Sequence, residues 1–126
     1  MRILLDTHVL LWFVADDPRL KGRLEHIADP ANDVFVSTIS LFEIAVKVRT
    51  GKLRSNIDDL LEEIDRQRLT LLPLTERHVA ELEKLPVHTD HKDPFDHQLI
   101  AQAIAENMTF LSYDRHAARY PVTLLT

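Results

Sequence analysis

Short apolar runs alternate with helical patterns along this chain, and the alternation limits the folds that the chain can adopt. Three runs, Ile3–Leu5, Val34–Val36 and Leu69–Leu72, have the length and apolar content of buried strands. Two more, residues 109–112 and 122–125, follow near the C-terminus. Strands that alternate with helices form βαβ units, so we predict an α/β fold with a mostly parallel sheet and helices on both of its faces.

Helices are predicted where apolar residues recur at spacings of three and four. The predicted helices cover residues 9–15, 20–27, 41–48, 57–64, 79–85 and 94–107. The first is apolar nearly all round and should be well buried, so Trp12 and Phe13 are expected in the core rather than stacked on nucleic-acid bases. Gly51 is a natural C-terminal cap for the third helix. No repeat or linker divides the chain, and we predict a single domain over residues 1–126.

The composition excludes several classes of site. With only Gly22 and Gly51, the chain cannot form a dinucleotide fingerprint or a P-loop. The absence of cysteine excludes disulfides, thiolate zinc sites and cysteine nucleophiles, and it is compatible with the cytoplasmic location that we expect. The longest apolar run, Val9–Ala15, is far shorter than a membrane span, so we expect no membrane association.

Four carboxylates are placed where a parallel sheet usually binds its ligands. Asp6, Glu43 and Asp114 follow closely after predicted strands, and Asp96 lies in the first turn of the helix predicted to begin at Pro94. In open parallel sheets the site lies at the carboxyl ends of the strands, so these four side chains can meet at one edge. Their repulsion in a partly dry cleft would raise their pKa values, and a hard cation such as Mg²⁺ or Mn²⁺ would relieve it.

Each acid taken alone also has a purely structural interpretation. Asp6 and Asp114 suit helix N-caps, as does the neighbouring Asp93. Ser40 and Glu43 match a capping box, and Asp96 is favoured in a first turn by the helix dipole. Spacing alone does not decide between caps and a metal site.

Four longer stretches carry motifs in a fixed order. They are Leu4–Trp12, Val36–Lys47, His91–Ala103 and Leu111–Asp114, and they nearly span the chain. The ordered set resembles the PIN-domain family, especially the VapC-type toxins of bacterial type II toxin–antitoxin pairs. The resemblance implies a three-layer α/β/α fold, a divalent-metal site and endoribonuclease activity.

The resemblance also implies roles for particular residues and partners. It assigns catalysis and metal binding to Asp6, Glu43, Asp96 and Asp114. Asp93 matches a pattern found in only part of the family and is an additional candidate ligand. The implied cofactor is Mg²⁺, for which Mn²⁺ can substitute. The implied partners are an RNA substrate, a VapB-like antitoxin and a second copy of the chain in a homodimer. The alternative is a catalytically weak PIN-like module that binds RNA or protein.

Residues around the acids have weaker predicted roles. Three hydroxyls are expected to cap helices or to orient carboxylates: Thr7, Ser40 and Ser112. Three basic residues are candidates for binding substrate phosphates: Lys47, Arg49 and Lys52. The alternative for this basic segment is an ordinary solvated helix end. The formal net charge of −5 argues against a generally basic surface, but most of that charge belongs to the four candidate acids.

The sequence also offers two alternatives to a metal-binding acidic cleft. His88, His91 and His97 lie among Asp90, Asp93 and Asp96 and are candidates for a zinc site, but their spacing fits no helical His-x-x-x-His pair, and plain surface histidines are the favoured interpretation. A phosphoacceptor receiver domain also gathers acids at strand ends. That class needs a lysine after a late strand, and the sequence offers no convincing one.

Overall fold

Strands and helices alternate in the computed structural model, which describes residues 1–125. The strands are β1 (Arg2–Leu5), β2 (Asp33–Ser37), β3 (Thr70–Leu72), β4 (Thr109–Leu111) and β5 (Leu124–Leu125). The helices are α1 (Thr7–Val14), α2 (Leu24–Ala28), α3 (Thr38–Arg49), α4 (Ile57–Arg66), α5 (Glu76–Glu83) and α6 (Pro94–Ala105). Two 3₁₀ turns cover Pro18–Leu20 and Arg115–Arg119. Within the described range, no helix is both long and apolar enough to cross a membrane.

All five strands lie in one parallel sheet, in the order β3-β2-β1-β4-β5. The chain starts at the centre with β1, moves outward to β3, and then crosses to β4 on the other side. The order therefore reverses between β1 and β4, where sheets of this type bind ligands. These two strands end at Leu5 and Leu111, and the Asp6 amide donates to the Leu111 carbonyl at 3.0 Å. Asp6 and Ser112 thus leave the sheet side by side.

Apolar residues of β1 point alternately to the two faces of the sheet. Ile3 and Leu5 pack on one face with residues of α1, α2, α3 and α4, among them Ile44. Leu4 packs on the opposite face with Leu99 of α6. All of these side chains are fully buried. Helices cover both faces, and the predicted three-layer α/β/α architecture is confirmed.

The segment after β1 differs from the prediction in two respects. Helix α1 begins at Thr7, and its second half, with Trp12 and Phe13, is half-buried against the core rather than fully enclosed. One helix was expected over residues 20–27, but the segment forms a 3₁₀ turn and then α2. Gly22 lies between them, and glycine has among the lowest helix propensities.

The start of α3 corrects a second prediction. The Ser37 hydroxyl accepts the amide of Ile39 and forms the N-cap, so the predicted capping box of Ser40 and Glu43 does not exist. Both residues instead lie inside α3 and are buried. The predicted helix end is confirmed, because Gly51 follows α3 with a positive φ of 76°. Glu43 is therefore buried for some reason other than capping.

Helix α5 turns a histidine, not a valine, toward the core. Val79 was expected on the apolar face but is 48% exposed. His78 is fully buried, accepts the Thr75 amide at Nδ1 and lies 2.8 Å from Glu106 through Nε2. Asn107, with φ of 55°, follows α6 and ends it short of its predicted limit.

Candidate metal centre

Asp6 is a buried carboxylate whose orientation is set by its neighbours. Its Oδ1 accepts the Thr7 amide at 2.8 Å, and its Oδ2 accepts the Ser112 hydroxyl at 2.6 Å. His8 Nδ1 lies 3.4 Å from the same Oδ2. Because His8 Nε2 accepts the Tyr113 amide, the hydrogen-bond pattern assigns the proton of a neutral ring to Nδ1, facing Asp6. The Ser112 hydroxyl thus orients a carboxylate, whereas Thr7 contacts Asp6 through its backbone amide and not through its hydroxyl.

Glu43 brings a second buried carboxylate to the same edge. It is 4% exposed, and its Oε2 accepts the Lys47 ammonium at 2.7 Å. Its Oε1 is buried and has no hydrogen-bond partner among residues 1–125. Burial raises the pKa of Asp6, and repulsion from Glu43 adds to the rise. The unpaired oxygen of a buried charged group is costly unless a partner binds it, and a cation is the partner that a carboxylate oxygen prefers.

Asp96 shows how closely the acids converge. It lies in the first turn of α6 and is partly buried. Burial, and after it repulsion from four other carboxylates, together raise the pKa of Asp96 from 3.8 to about 8; the four are Asp6, Asp93, Glu43 and Asp114. The structure therefore brings together the four predicted acids and Asp93, from separate segments of the chain.

The predicted caps are confirmed, and they belong to the same cluster. Asp93 is the N-cap of α6, where its Oδ1 accepts the Phe95 amide at 2.9 Å. Asp114 caps the second 3₁₀ turn, where its Oδ1 accepts the His116 amide at 2.9 Å. In both residues the cap bonds use Oδ1. A cap and a metal ligand are therefore compatible roles for one carboxylate.

His91 was grouped with His88 and His97 from the sequence, but the structure places it beside the acids. It is 6% exposed, and its Nε2 lies 3.3 Å from Asp96 Oδ2 and 4.0 Å from Asp114 Oδ2. Its Nδ1 lies 2.8 Å from the Tyr120 hydroxyl. Burial lowers the pKa of His91, which favours the neutral ring. One ligand atom from each of His91, Asp96 and Asp114 falls within a span of 4.8 Å.

The zinc site considered from the histidine spacing does not form. Of the three histidines, only His91 joins a group of metal-ligand side chains within the described residues. His97 Nε2 lies 2.8 Å from the His91 carbonyl, and His88 Nε2 lies 3.3 Å from the Arg119 carbonyl. Both rings are therefore directed at backbone rather than at a common centre.

The other predicted site residues lie at different distances from the acidic cluster. Lys47 reaches the acids through Glu43, whereas Arg49 borders a shallow apolar groove on α3 and Lys52 lies exposed beyond the helix end. The Ser40 hydroxyl accepts that of Thr7 at 2.9 Å. Ser40 therefore ties α1 to α3 but touches no carboxylate in the part of the chain that the structure describes.

Comparison with models of known protein families identifies the family of this chain. The PIN domain model matches residues 3–122. The chain belongs to the PIN domain family. The matched range includes all four predicted acids, so the acidic edge lies within this PIN domain. Comparison with curated proteins gives no significant match.

Solved structures share the fold of this PIN domain over nearly its whole length. A chain of VapBC2 from Rickettsia felis, bound to a DNA fragment from its promoter, aligns with a TM-score of 0.75 at 20% identity, covering 99% of this chain and 98% of that one. VapBC-1 from nontypeable Haemophilus influenzae gives 0.67 at 15% identity, with 99% and 97% covered. FitAcB from Neisseria gonorrhoeae gives 0.64 at 20% identity, with 98% and 96% covered. At sequence identities this low, the similarity shows that the chain shares the fold of these proteins.

Proposed function

We propose that this PIN domain is a divalent-metal-dependent endoribonuclease, the VapC-type toxin of a toxin–antitoxin pair. PIN domains are generally nucleases and typically bind divalent metals. The observation that carries the proposal is the convergence of Asp6, Glu43, Asp96 and Asp114 at the carboxyl edge of the sheet, where burial and repulsion from the other acids raise the pKa of Asp96 to about 8. Such a cluster is costly by itself and is stabilised when a cation binds.

The donor set fits a divalent cation. The four acids offer hard oxygen ligands, with Asp93 as an additional one, and Glu43 Oε1 is buried without a partner in the described structure. A divalent ion held there would lower the pKa of a bound water and neutralise charge on the scissile phosphate. Mg²⁺ is the proposed ion, with Mn²⁺ as a substitute.

The chain's own residues would orient and balance this centre. Ser112 and the Thr7 amide fix both oxygens of Asp6, so the carboxylate does not need to reorganise when a cation or a phosphate arrives. The Lys47 side chain is 46% exposed, so its ammonium can contact a substrate phosphate while it stays paired with Glu43. Arg49 ends α3 and Lys52 follows it, and both stay candidates for binding other phosphates of the substrate.

The partners are part of the proposal. The VapBC names of the structural neighbours support a VapB-like antitoxin as the protein partner. RNA as the substrate, a homodimer and a cytoplasmic location stay predictions. Light scattering tests the homodimer, for which we expect twice the 14.6 kDa mass of the chain.

The test of the proposed function is cleavage of single-stranded RNA in Mn²⁺ or Mg²⁺ and in chelator. We expect cleavage with metal only, and a loss of about 100-fold or more in Asp96→Asn. Asp58→Asn is the matched control, because Asp58 is an exposed residue of α4 away from the cluster. Cleavage that persists in chelator, or a folded Asp96→Asn variant with full activity, would contradict the metal mechanism. RNA binding without cleavage in either metal would favour the binding-module alternative.

A further inference from the structure

We propose that His91 supplies a nitrogen ligand to the metal centre, so that Mn²⁺, named above as the substitute ion, binds this site more tightly than Mg²⁺. The inference rests on the proposed metal centre and adds a ligand outside the four carboxylates. The added ligand affects which ion the site prefers, and its ring is oriented before the ion binds.

The position of the ring is the first observation. His91 Nε2 and one oxygen each of Asp96 and Asp114 lie within 4.8 Å of one another. Ligands of one octahedral ion at about 2.1 Å are about 3.0 Å apart when adjacent and about 4.2 Å apart when opposite. Small side-chain rotations would therefore bring these three atoms onto a common ion.

The orientation of the ring is the second observation. A coordinating Nε2 must present its lone pair, so the ring proton must lie on Nδ1, where it needs an acceptor. The Tyr120 hydroxyl oxygen lies 2.8 Å from Nδ1 and is buried with its ring. The Nε2 to Asp96 distance of 3.3 Å is longer than a typical N–H···O bond. The shorter contact is thus at Nδ1, where the Tyr120 oxygen can accept the ring proton once Nε2 binds a metal.

The packing around the ring is the third observation. His116 stacks on His91 with a centroid distance of 4.9 Å and an interplanar angle of 7°. His97 meets its edge at 4.7 Å, and its Nε2 lies 2.8 Å from the His91 carbonyl. The imidazole is therefore held in one orientation before any ion binds, as a preorganised ligand requires.

The ligand chemistry then decides the class of ion. Mg²⁺ binds oxygen ligands almost exclusively, whereas imidazole nitrogen is a good ligand for divalent transition metals. One nitrogen among several carboxylate oxygens shifts the preference of this site toward ions such as Mn²⁺. A centre built from the carboxylates alone would show less of this preference.

Pulsed EPR of the Mn²⁺-loaded protein tests the proposal directly. We expect nitrogen hyperfine modulation in the wild type and its loss in His91→Phe, with the Mn²⁺ Kd rising about 10-fold or more. The Mg²⁺ Kd, measured by competition, should change less than about threefold because Mg²⁺ makes little use of the nitrogen. His116→Phe is the matched control, since it replaces the stacked neighbour and should keep the modulation.

Other outcomes would separate the inference from the proposed function. Mn²⁺ binding without nitrogen modulation in the wild type, or modulation that persists in His91→Phe, would overturn the role of His91 and leave the metal centre standing. Failure of the wild type to bind Mn²⁺ at all would overturn the metal centre itself.

If His91→Phe does not fold, Tyr120→Phe decides, because it keeps the His91 ring and removes the hydrogen-bond acceptor of that ring. We then expect the Mn²⁺ Kd to rise about 10-fold with little change for Mg²⁺, and an unchanged Mn²⁺ preference would overturn the proposal.

Discussion

The Lys47 ammonium lies 2.7 Å from Oε2 of Glu43, while Oε1 of the same carboxylate is buried without a hydrogen-bond partner in the described residues. The hydrogen bond to Glu43 raises the pKa of Lys47, and the charges of Asp93 and Asp96 add to the rise. Lys47 is thus the internal counterion of the acidic cluster, and it leaves one oxygen of Glu43 for a ligand.

Replacing Lys47 should make the protein without metal less stable and more responsive to metal. In Lys47→Met the buried Glu43 loses its counterion, so we expect the free energy of unfolding in chelator to fall by about 1–3 kcal/mol. The rise in Tm on adding Mn²⁺ should exceed that of the wild type, because the site is then more negative. Thermal melts in chelator and in Mn²⁺ measure both effects, and equal metal-induced shifts in the two proteins would contradict the counterion role.

Glu43→Gln should have the opposite effects: little change in stability without metal and a weaker response to metal. The change removes the repulsion of Glu43 with Asp6 and Asp96, but it also removes the ion pair with Lys47, whose side chain is half-exposed. Because these effects oppose each other, the free energy of unfolding in chelator should change by less than about 1 kcal/mol. RNA cleavage and the Mn²⁺-induced rise in Tm should fall steeply. A variant that melts much lower in chelator yet cleaves normally would assign Glu43 a structural role only.

The sequence predicts the sheet, the layers and the four acids because strand-end placement follows from βαβ topology. It presents capping and metal binding as alternatives, yet Asp93 and Asp114 cap through one oxygen and still lie in the cluster. The predicted capping box of Ser40 and Glu43 is wrong because Ser37, three residues before Ser40, already caps the helix. The place of His91 depends on Tyr120, a residue 29 positions away, so local pattern could not distinguish it from His88 and His97.

Ser112→Ala should weaken metal binding as well as stability. The hydroxyl donates to Asp6 Oδ2 and accepts the Asp114 amide at 3.1 Å, so it links two of the proposed ligands. We expect a loss of about 1–2 kcal/mol in the free energy of unfolding and a higher Mn²⁺ Kd. Thr7→Val is the matched control, since it removes a buried hydroxyl bonded to Ser40 but keeps the amide that holds Asp6. Similar Mn²⁺ affinity in both variants would contradict a positioning role for Ser112.

The pH dependence of stability should reveal the raised pKa of Asp96. Its pKa in the folded protein is about 8 against an ordinary 3.8, so between these values the folded state binds more protons at this group than the unfolded state. This contribution therefore lowers stability as pH rises from about 4 to 8, and it is constant above that range. In chelator, the Tm difference between Asp96→Asn and the wild type should grow in favour of the variant across this window. A difference that does not change with pH would contradict the raised pKa.

Thermal unfolding with and without Mn²⁺ tests the metal centre most directly, in the wild type and in Asp6→Asn and Asp58→Asn. At a free Mn²⁺ concentration about 100 times the wild-type Kd, binding to the native state adds about 2.7 kcal/mol and raises Tm by several degrees. We predict this rise in the wild type and in Asp58→Asn, and a much smaller one in folded Asp6→Asn. An equal rise in all three proteins, or no rise in the wild type, would contradict a metal centre built on these carboxylates.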